Sequence, residues 1–154
     1  MDMAPEGMAS LSRVEHVLNT ASCLPPVLLE LVRLRASLMN GCEYCVGLHT
    51  SELGKHHEPV GRIEGVAGWR ESDAYTQRER AALRWAEVIT DIQDGHASDD
   101  EFAAVKGHFT DVEVVQLTLA VASINAWNRM AIAFRPQWRE RVAKDDGGKV
   151  EVEE

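Results

Sequence analysis

Three times from Thr76 onward the chain carries one local pattern. Thr76-x-x-Glu79, Ser98-x-x-Glu101 and Thr110-x-x-Glu113 each set a hydroxyl residue three positions ahead of a glutamate. In such a capping box the hydroxyl accepts from a backbone N–H three residues on, and the glutamate reaches back, so that unpaired donors of a helix start are satisfied. Apolar residues at helical spacing follow each box. They are Ala82, Trp85, Ala86, Ile89 and Ile92 after the first, Phe102 and Val105 after the second, and the run Val114 to Ile124 after the third. Eight of the eleven residues in that last run are apolar. A helix apolar on nearly every side belongs at the centre of a bundle or in an oligomer.

Upstream, Pro25-Pro26 suits a helix start, because proline is tolerated in the first turn. Leu28, Leu31, Val32, Arg35, Ala36 and Met39 then recur every three or four residues. Asn40-Gly41 ends that helix, with glycine suited to a left-handed C-terminal cap and asparagine to capping the next start. A further helix is predicted from about Cys42 to His56, stopping before Pro59. Gly61 to Ser72 reads as a loop or a short irregular helix. No stretch reads as a strand and no internal repeat is found. The expected fold is all-α, a single-domain helical bundle over residues 13–143. Residues 1–12 form an N-terminal extension, and residues 144–154 (KDDGGKVEVEE) a disordered acidic tail.

Composition narrows the function classes. A chain of 154 residues, 45% apolar, holds one domain with a real core. Its 25 acidic against 16 basic side chains give a formal charge of −9, which argues against a nucleic-acid partner, since such proteins carry a basic patch or stripe. Val112 to Phe134 is long enough to span a bilayer, but Glu113, Gln116, Asn125, Asn128 and Arg129 interrupt it, so a buried helix and no membrane partner are expected. Met1 to Ser10 has no basic end and no apolar run, so it does not read as a signal peptide. The expected location is cytoplasmic, where thiols stay reduced unless redox chemistry is their task. There are three cysteines, Cys23, Cys42 and Cys45, an odd count with one close pair, which is not a secreted disulfide framework.

The close pair carries the chemistry. Cys42-Glu43-Tyr44-Cys45 is a C-x-x-C motif, and His49 follows four residues later. On a helix, residues three apart face the same way with Cβ atoms about 5–6 Å apart, and a modest adjustment joins two such sulfurs. His49 lies over the same face one turn on. A thiol near a helix N-terminus meets unpaired N–H groups and the positive end of the dipole, which favour thiolate, and a neighbouring imidazole can take its proton. One helical turn thus offers a nucleophile, a base and a second thiol. If the preceding helix packs antiparallel across Asn40-Gly41, Glu30 points back toward His49 or Cys45. There it would fix the histidine tautomer or pass on a proton. A first-turn role for Glu30 at the helix N-terminus fits as well.

Other readings stand beside this one. Zinc would need four ligands, and Cys42, Cys45 and His49 with His56 or His57 would have to supply them, without the usual second ligand pair. Inert buried cysteines are the blander case. Cys23, with no partner near in sequence, is expected in the core. His56-His57 suit a polar helix end.

The spacing Glu30, eleven residues, Cys42-x-x-Cys45, three residues, His49 resembles the signature of the alkylhydroperoxidase D-like proteins of the carboxymuconolactone decarboxylase superfamily. The resemblance covers about Glu30 to Pro136, with softer likeness around Trp69, Arg80 to Leu83 and Ile124 to Arg129. It implies an all-helical fold assembled as a trimer or hexamer, and an antioxidant peroxidase or thiol-disulfide reductase needing no cofactor. By residue match, Cys45 would be the peroxidatic cysteine that attacks a hydroperoxide, and Cys42 would resolve the sulfenic acid to a Cys42–Cys45 disulfide. Glu30 and His49 would form the proton relay, and a dithiol reductant, in the prototype a lipoylated protein, would restore the thiols. Tyr44, Trp127 and Asn128 would line the substrate pocket, although core packing and a helix–helix hydrogen bond explain Trp127 and Asn128 too. Tyr44 stands where the prototype has histidine. That change leaves room for a non-catalytic redox sensor on the same fold. The decarboxylase branch lacks the cysteine pair.

Overall fold

The structure is a computed structural model in which residues 4–135 are described. Seven α-helices follow one another: α1 (Pro5–Ala21), α2 (Pro26–Met39), α3 (Glu43–Lys55), α4 (Val60–Glu64), α5 (Gln77–Thr90), α6 (Asp99–Lys106) and α7 (Asp111–Phe134). A 3-10 segment, Gly65–Glu71, continues from α4, where an irregular stretch was expected. The described residues contain no strand. The sequence-derived boundary at residue 12 falls inside α1, and the expected acidic tail lies outside the described residues.

The centre of the bundle is α2, which packs against α3, α5 and α7. Every residue from Leu28 to Leu34 is buried. Leu28, Leu29 and Val32 join Leu18, Trp85, Leu117 and Val121 in one core cluster, and Leu31 and Leu34 join Leu53, Val66, Trp69 and Leu83 in a second. Each such side chain contributes on the order of 2 kcal/mol on leaving water. This surround also forces the two charged residues of the stretch, Glu30 and Arg33, to find ionic partners, because an unpaired buried ion costs several kcal/mol. The more apolar α7 is less enclosed. It buries Val114, Leu117, Val121 and Ile124 but leaves Val112, Val115 and Leu119 exposed.

Of the three capping boxes read from the sequence, two close completely. At Thr76 and Thr110 both halves of the box form. At Ser98 the hydroxyl accepts from the Glu101 N–H, but the Glu101 carboxylate is held by Arg84 instead of reaching back. An arginine from a neighbouring helix outcompetes a neutral backbone donor for a carboxylate.

The turn between α2 and α3 fixes the place of the cysteines. The Gly41 N–H donates to the Leu38 carbonyl and the Cys42 N–H to the Ser37 carbonyl, the two bonds of a Schellman motif. Gly41 has φ +65°, the left-handed conformation that L side chains avoid. Asn40 does not cap α3. Its amide instead crosses to α7, donating to Asn125 Oδ1 at 2.7 Å and Asn128 Oδ1 at 2.8 Å. Cys42 is the N-cap, and its Sγ accepts from the Cys45 N–H. Cys23 is not in the core either. It is exposed on the α1–α2 connection, with its thiol 2.9 Å from Gln116 Oε1.

Candidate active site

Two helices joined by a tight turn bring the predicted chemical groups together. Cys42 and Cys45 form a disulfide with Cα atoms 5.3 Å apart, a separation ordinary for such a bond. Both cysteines are buried at the start of α3. One turn further, His49 Nδ1 lies 2.8 Å from Glu30 Oε2, reaching back to α2 as the antiparallel packing required. The other Glu30 oxygen accepts from Arg33 Nη1 at 2.5 Å.

Burial alone would push the Glu30 carboxyl up. The hydrogen bond and charge of His49, with those of Arg33, outweigh that and hold it below its ordinary value. Glu30 is therefore a carboxylate at neutral pH, an acceptor only, and its contact assigns the shared proton to His49 Nδ1. In the neutral ring this leaves Nε2 with a lone pair, and Nε2 is buried with no hydrogen-bond partner among the described residues.

A cavity of about 490 Å³ opens on this group. Tyr44, Cys45, Leu48 and His49 of α3 form one wall, Ile124, Trp127 and Ala131 of α7 a second, and Met8, Ser12 and Glu15 of α1 a third. Most of that surface is apolar, with the sulfur, the imidazole and Glu15 among its polar points. Cys45 lines the cavity, whereas Cys42 packs behind it among Ala36, Ile124 and Ala131.

The sequence-predicted residues thus divide. Cys45, His49, Tyr44 and Trp127 face one cavity, with Glu30 directly behind the imidazole and Cys42 bonded to Cys45. Asn128 is elsewhere. It is fully buried, accepts from Asn40 and donates to Ser37 Oγ at 3.1 Å, the helix–helix role its position also allowed. Sequence reasoning passed over Arg33 and Glu15. Arg33 stands three residues after Glu30 in an apolar helix, a spacing that announces an ion pair. Glu15 carried no local signal, because its partners Arg33 and Ser123 are remote in sequence. Among the described residues, no group of three or more His, Cys, Asp or Glu side chains is arranged to hold a metal ion. No described helix is long and apolar enough to cross a membrane.

Comparison with known proteins places the family and the fold. The sequence profile of the carboxymuconolactone decarboxylase family matches residues 5–88, which include the C-x-x-C motif, His49 and Glu30. The uncharacterized protein YdfG of Bacillus subtilis (strain 168) is 36% identical over 133 residues, 86% of this chain and 90% of that one. Among solved structures, ATU0492 from Agrobacterium tumefaciens, described as a protein of unknown function and a candidate antioxidant defence protein AhpD, is also similar. It superposes with a TM-score of 0.84 at 36% identity, covering 89% of this chain and 95% of its own. The debrominase Bmp8 shares the fold, with a TM-score of 0.77 at 19% identity over 86% of this chain and 71% of that one. The all-helical architecture is therefore AhpD-like, and the chain belongs to the carboxymuconolactone decarboxylase family.

Proposed function

We propose that the chain is a dithiol peroxidase that reduces organic hydroperoxides in the cytoplasm. The observation that carries this reading is a disulfide-forming cysteine pair whose outer member, Cys45, shares a cavity with a carboxylate-oriented histidine. In the reduced protein His49 takes the Cys45 proton. The thiolate attacks the terminal peroxide oxygen, the O–O bond breaks, and the alkoxide leaves as alcohol with the proton from the imidazole. Cys45 is then a sulfenic acid. The Cys42 thiol displaces its hydroxyl as water and forms the Cys42–Cys45 disulfide. An external dithiol, for which a lipoylated protein is the candidate class, returns two electrons and two protons and is itself oxidised. The steps sum to ROOH plus dithiol giving ROH, water and cyclic disulfide.

The cavity supports an organic peroxide, since its apolar walls suit a hydrocarbon tail better than a second hydroxyl. Tyr44 lines the same cavity, at the position where the prototype carries histidine. That substitution also favours a second reading, a sensor that oxidises once and does not turn over. The exposed Val112, Val115 and Leu119 of α7 support assembly as a trimer or hexamer, because contiguous exposed apolar side chains mark interaction surfaces. Light scattering that returns a monomer would remove the assembly.

Consumption of cumene hydroperoxide in the presence of dithiothreitol tests the enzyme. Sustained turnover is expected from the wild type and none from Cys45→Ser. Equal rates in the two proteins would overturn the assignment, and a single stoichiometric turnover would select the sensor.

A further inference from the structure

Arg33 is first by volume among the side chains that the described fold buries almost completely. Its Nη1 donates to Glu30 Oε1 at 2.5 Å and to Asn19 Oδ1 at 2.9 Å, and its Nη2 lies 2.6 Å from Glu15 Oε2. Glu15 in turn accepts from Ser123 Oγ at 2.5 Å. One continuous chain of polar contacts therefore runs from α7 through α1 and α2 to His49 on α3. Four charged or titratable groups meet in it: Glu15 from α1, Glu30 and Arg33 from α2, and His49 from α3; α7 adds the neutral Ser123.

A glutamate side chain has three rotatable bonds, and holding it in one rotamer costs entropy that its contacts must offset. Glu30 offers one oxygen to His49 and the other to Arg33, so the guanidinium sets the direction of the first. The guanidinium plane is set in turn by Glu15 and Asn19, both on α1. A guanidinium this deeply buried needs acceptors beyond Glu30, and Glu15 faces its Nη2. Glu15 also lines the Cys45 cavity, and it sits on a helix that buries only Leu18 in the core.

We propose that Arg33 is a positioning residue of the thiol site, a buried guanidinium through which a docked α1 holds the Glu30 carboxylate against His49. The proposal rests on the reading that His49 serves Cys45, and it deepens that reading. Without Arg33 the carboxylate loses its second anchor, the imidazole loses its fixed tautomer, and the Cys45 thiolate forms at higher pH. Because α1 also walls the cavity, displacement of this helix would uncouple the relay while the cysteine pair stays in place.

The test reads the Cys45 thiolate directly, so it stands apart from peroxidase activity. In a chain carrying Cys23→Ser and Cys42→Ser, the rate of Cys45 alkylation by iodoacetamide is measured from pH 5 to 9. Arg33→Met is expected to move the profile up by about one pH unit, about tenfold slower at neutral pH. Arg33→Lys, which keeps the charge without the fork, is expected to fall between Arg33→Met and Arg33 itself. Glu15→Gln preserves shape and lies on a partly exposed side chain, so it folds even if Arg33→Met does not; its expected shift is in the same direction, about threefold in rate at neutral pH. Unmoved profiles in folded Glu15→Gln and in whichever Arg33 variants fold would overturn the proposal. A shifted profile in a protein that turns over no hydroperoxide would keep the positioning role and remove the peroxidase reading instead.

Discussion

Two glutamates among the described residues are buried to the same degree and differ in their partners and in what they can do. Glu87 on α5 receives Arg35 Nε and Arg70 Nη1 at 2.9 Å and the Trp69 indole N–H at 2.8 Å, with Arg84 at 3.6 Å. Glu30 on α2 receives one arginine and one histidine. In both, burial pushes the carboxyl up, while hydrogen bonds and charges from the partners outweigh it and hold the group below its ordinary value. The arginines around Glu87 never lose their protons, so that cluster is a fixed weld between α2, the 3-10 segment and α5. Glu30 instead pairs with His49, which lines the same cavity as Cys45. On the proposed reading, a buried carboxylate becomes chemical when one of its partners is an imidazole that can pass a proton on.

That contrast is open to attack by substitution. Glu30→Gln is expected to lower hydroperoxide turnover by about 100-fold, the low end for losing a proton-transfer partner, while Arg33 keeps Glu15 and Asn19 and limits the loss of stability. Steady-state kinetics beside urea unfolding separate the two effects. Glu87→Gln is expected to do the reverse. It leaves arginines facing a neutral amide and costs about 3 kcal/mol, the low end for breaking a buried pair because Arg70 and Arg84 are half exposed to water. Turnover per folded molecule should not change. Equal losses of activity in the two variants would erase the distinction between weld and relay.

Much of this was legible from the residues alone. The helix starts at Pro26, Thr76 and Thr110 and the Glu30, Cys42, Cys45 and His49 group follow from local chemistry, in which each signal and its partner lie within a few residues or across one turn. What escaped has distant partners. Asn40 reads as a cap because asparagine caps helices, yet two asparagines of α7 claim its amide. Glu101 reads as half of a capping box until Arg84 arrives from another helix. Cys23 reads as a core thiol because free cysteines are often buried, but it falls on a connection that faces solvent. Glu15 joins the site only through tertiary packing.

Acid sharpens the comparison with a smaller effect. A carboxyl held below its unfolded value of about 4.5 contributes stability that is present in full above that pH and is lost as pH falls through the lower folded value. Both Glu30 and Glu87 fall in this class. Urea midpoints of the wild type should therefore decline below about pH 5. Those of Glu87→Gln should decline less, so that the gap between the two proteins narrows toward acid. A gap that widens toward acid would contradict the assigned direction. Gly41→Ala is expected to have the least effect, about 1 kcal/mol lost for forcing a side chain into the left-handed turn ahead of Cys42.

The central claim is that Cys45 meets the oxidant and Cys42 resolves it. Mass spectrometry after one equivalent of organic hydroperoxide, with the remaining thiols trapped, reads this directly. The account predicts an intrachain Cys42–Cys45 disulfide in the wild type and a trapped sulfenic acid on Cys45 in Cys42→Ser. Sulfenic acid on Cys42 in Cys45→Ser with Cys45 untouched in Cys42→Ser, or two cysteines that stay reduced, would contradict it.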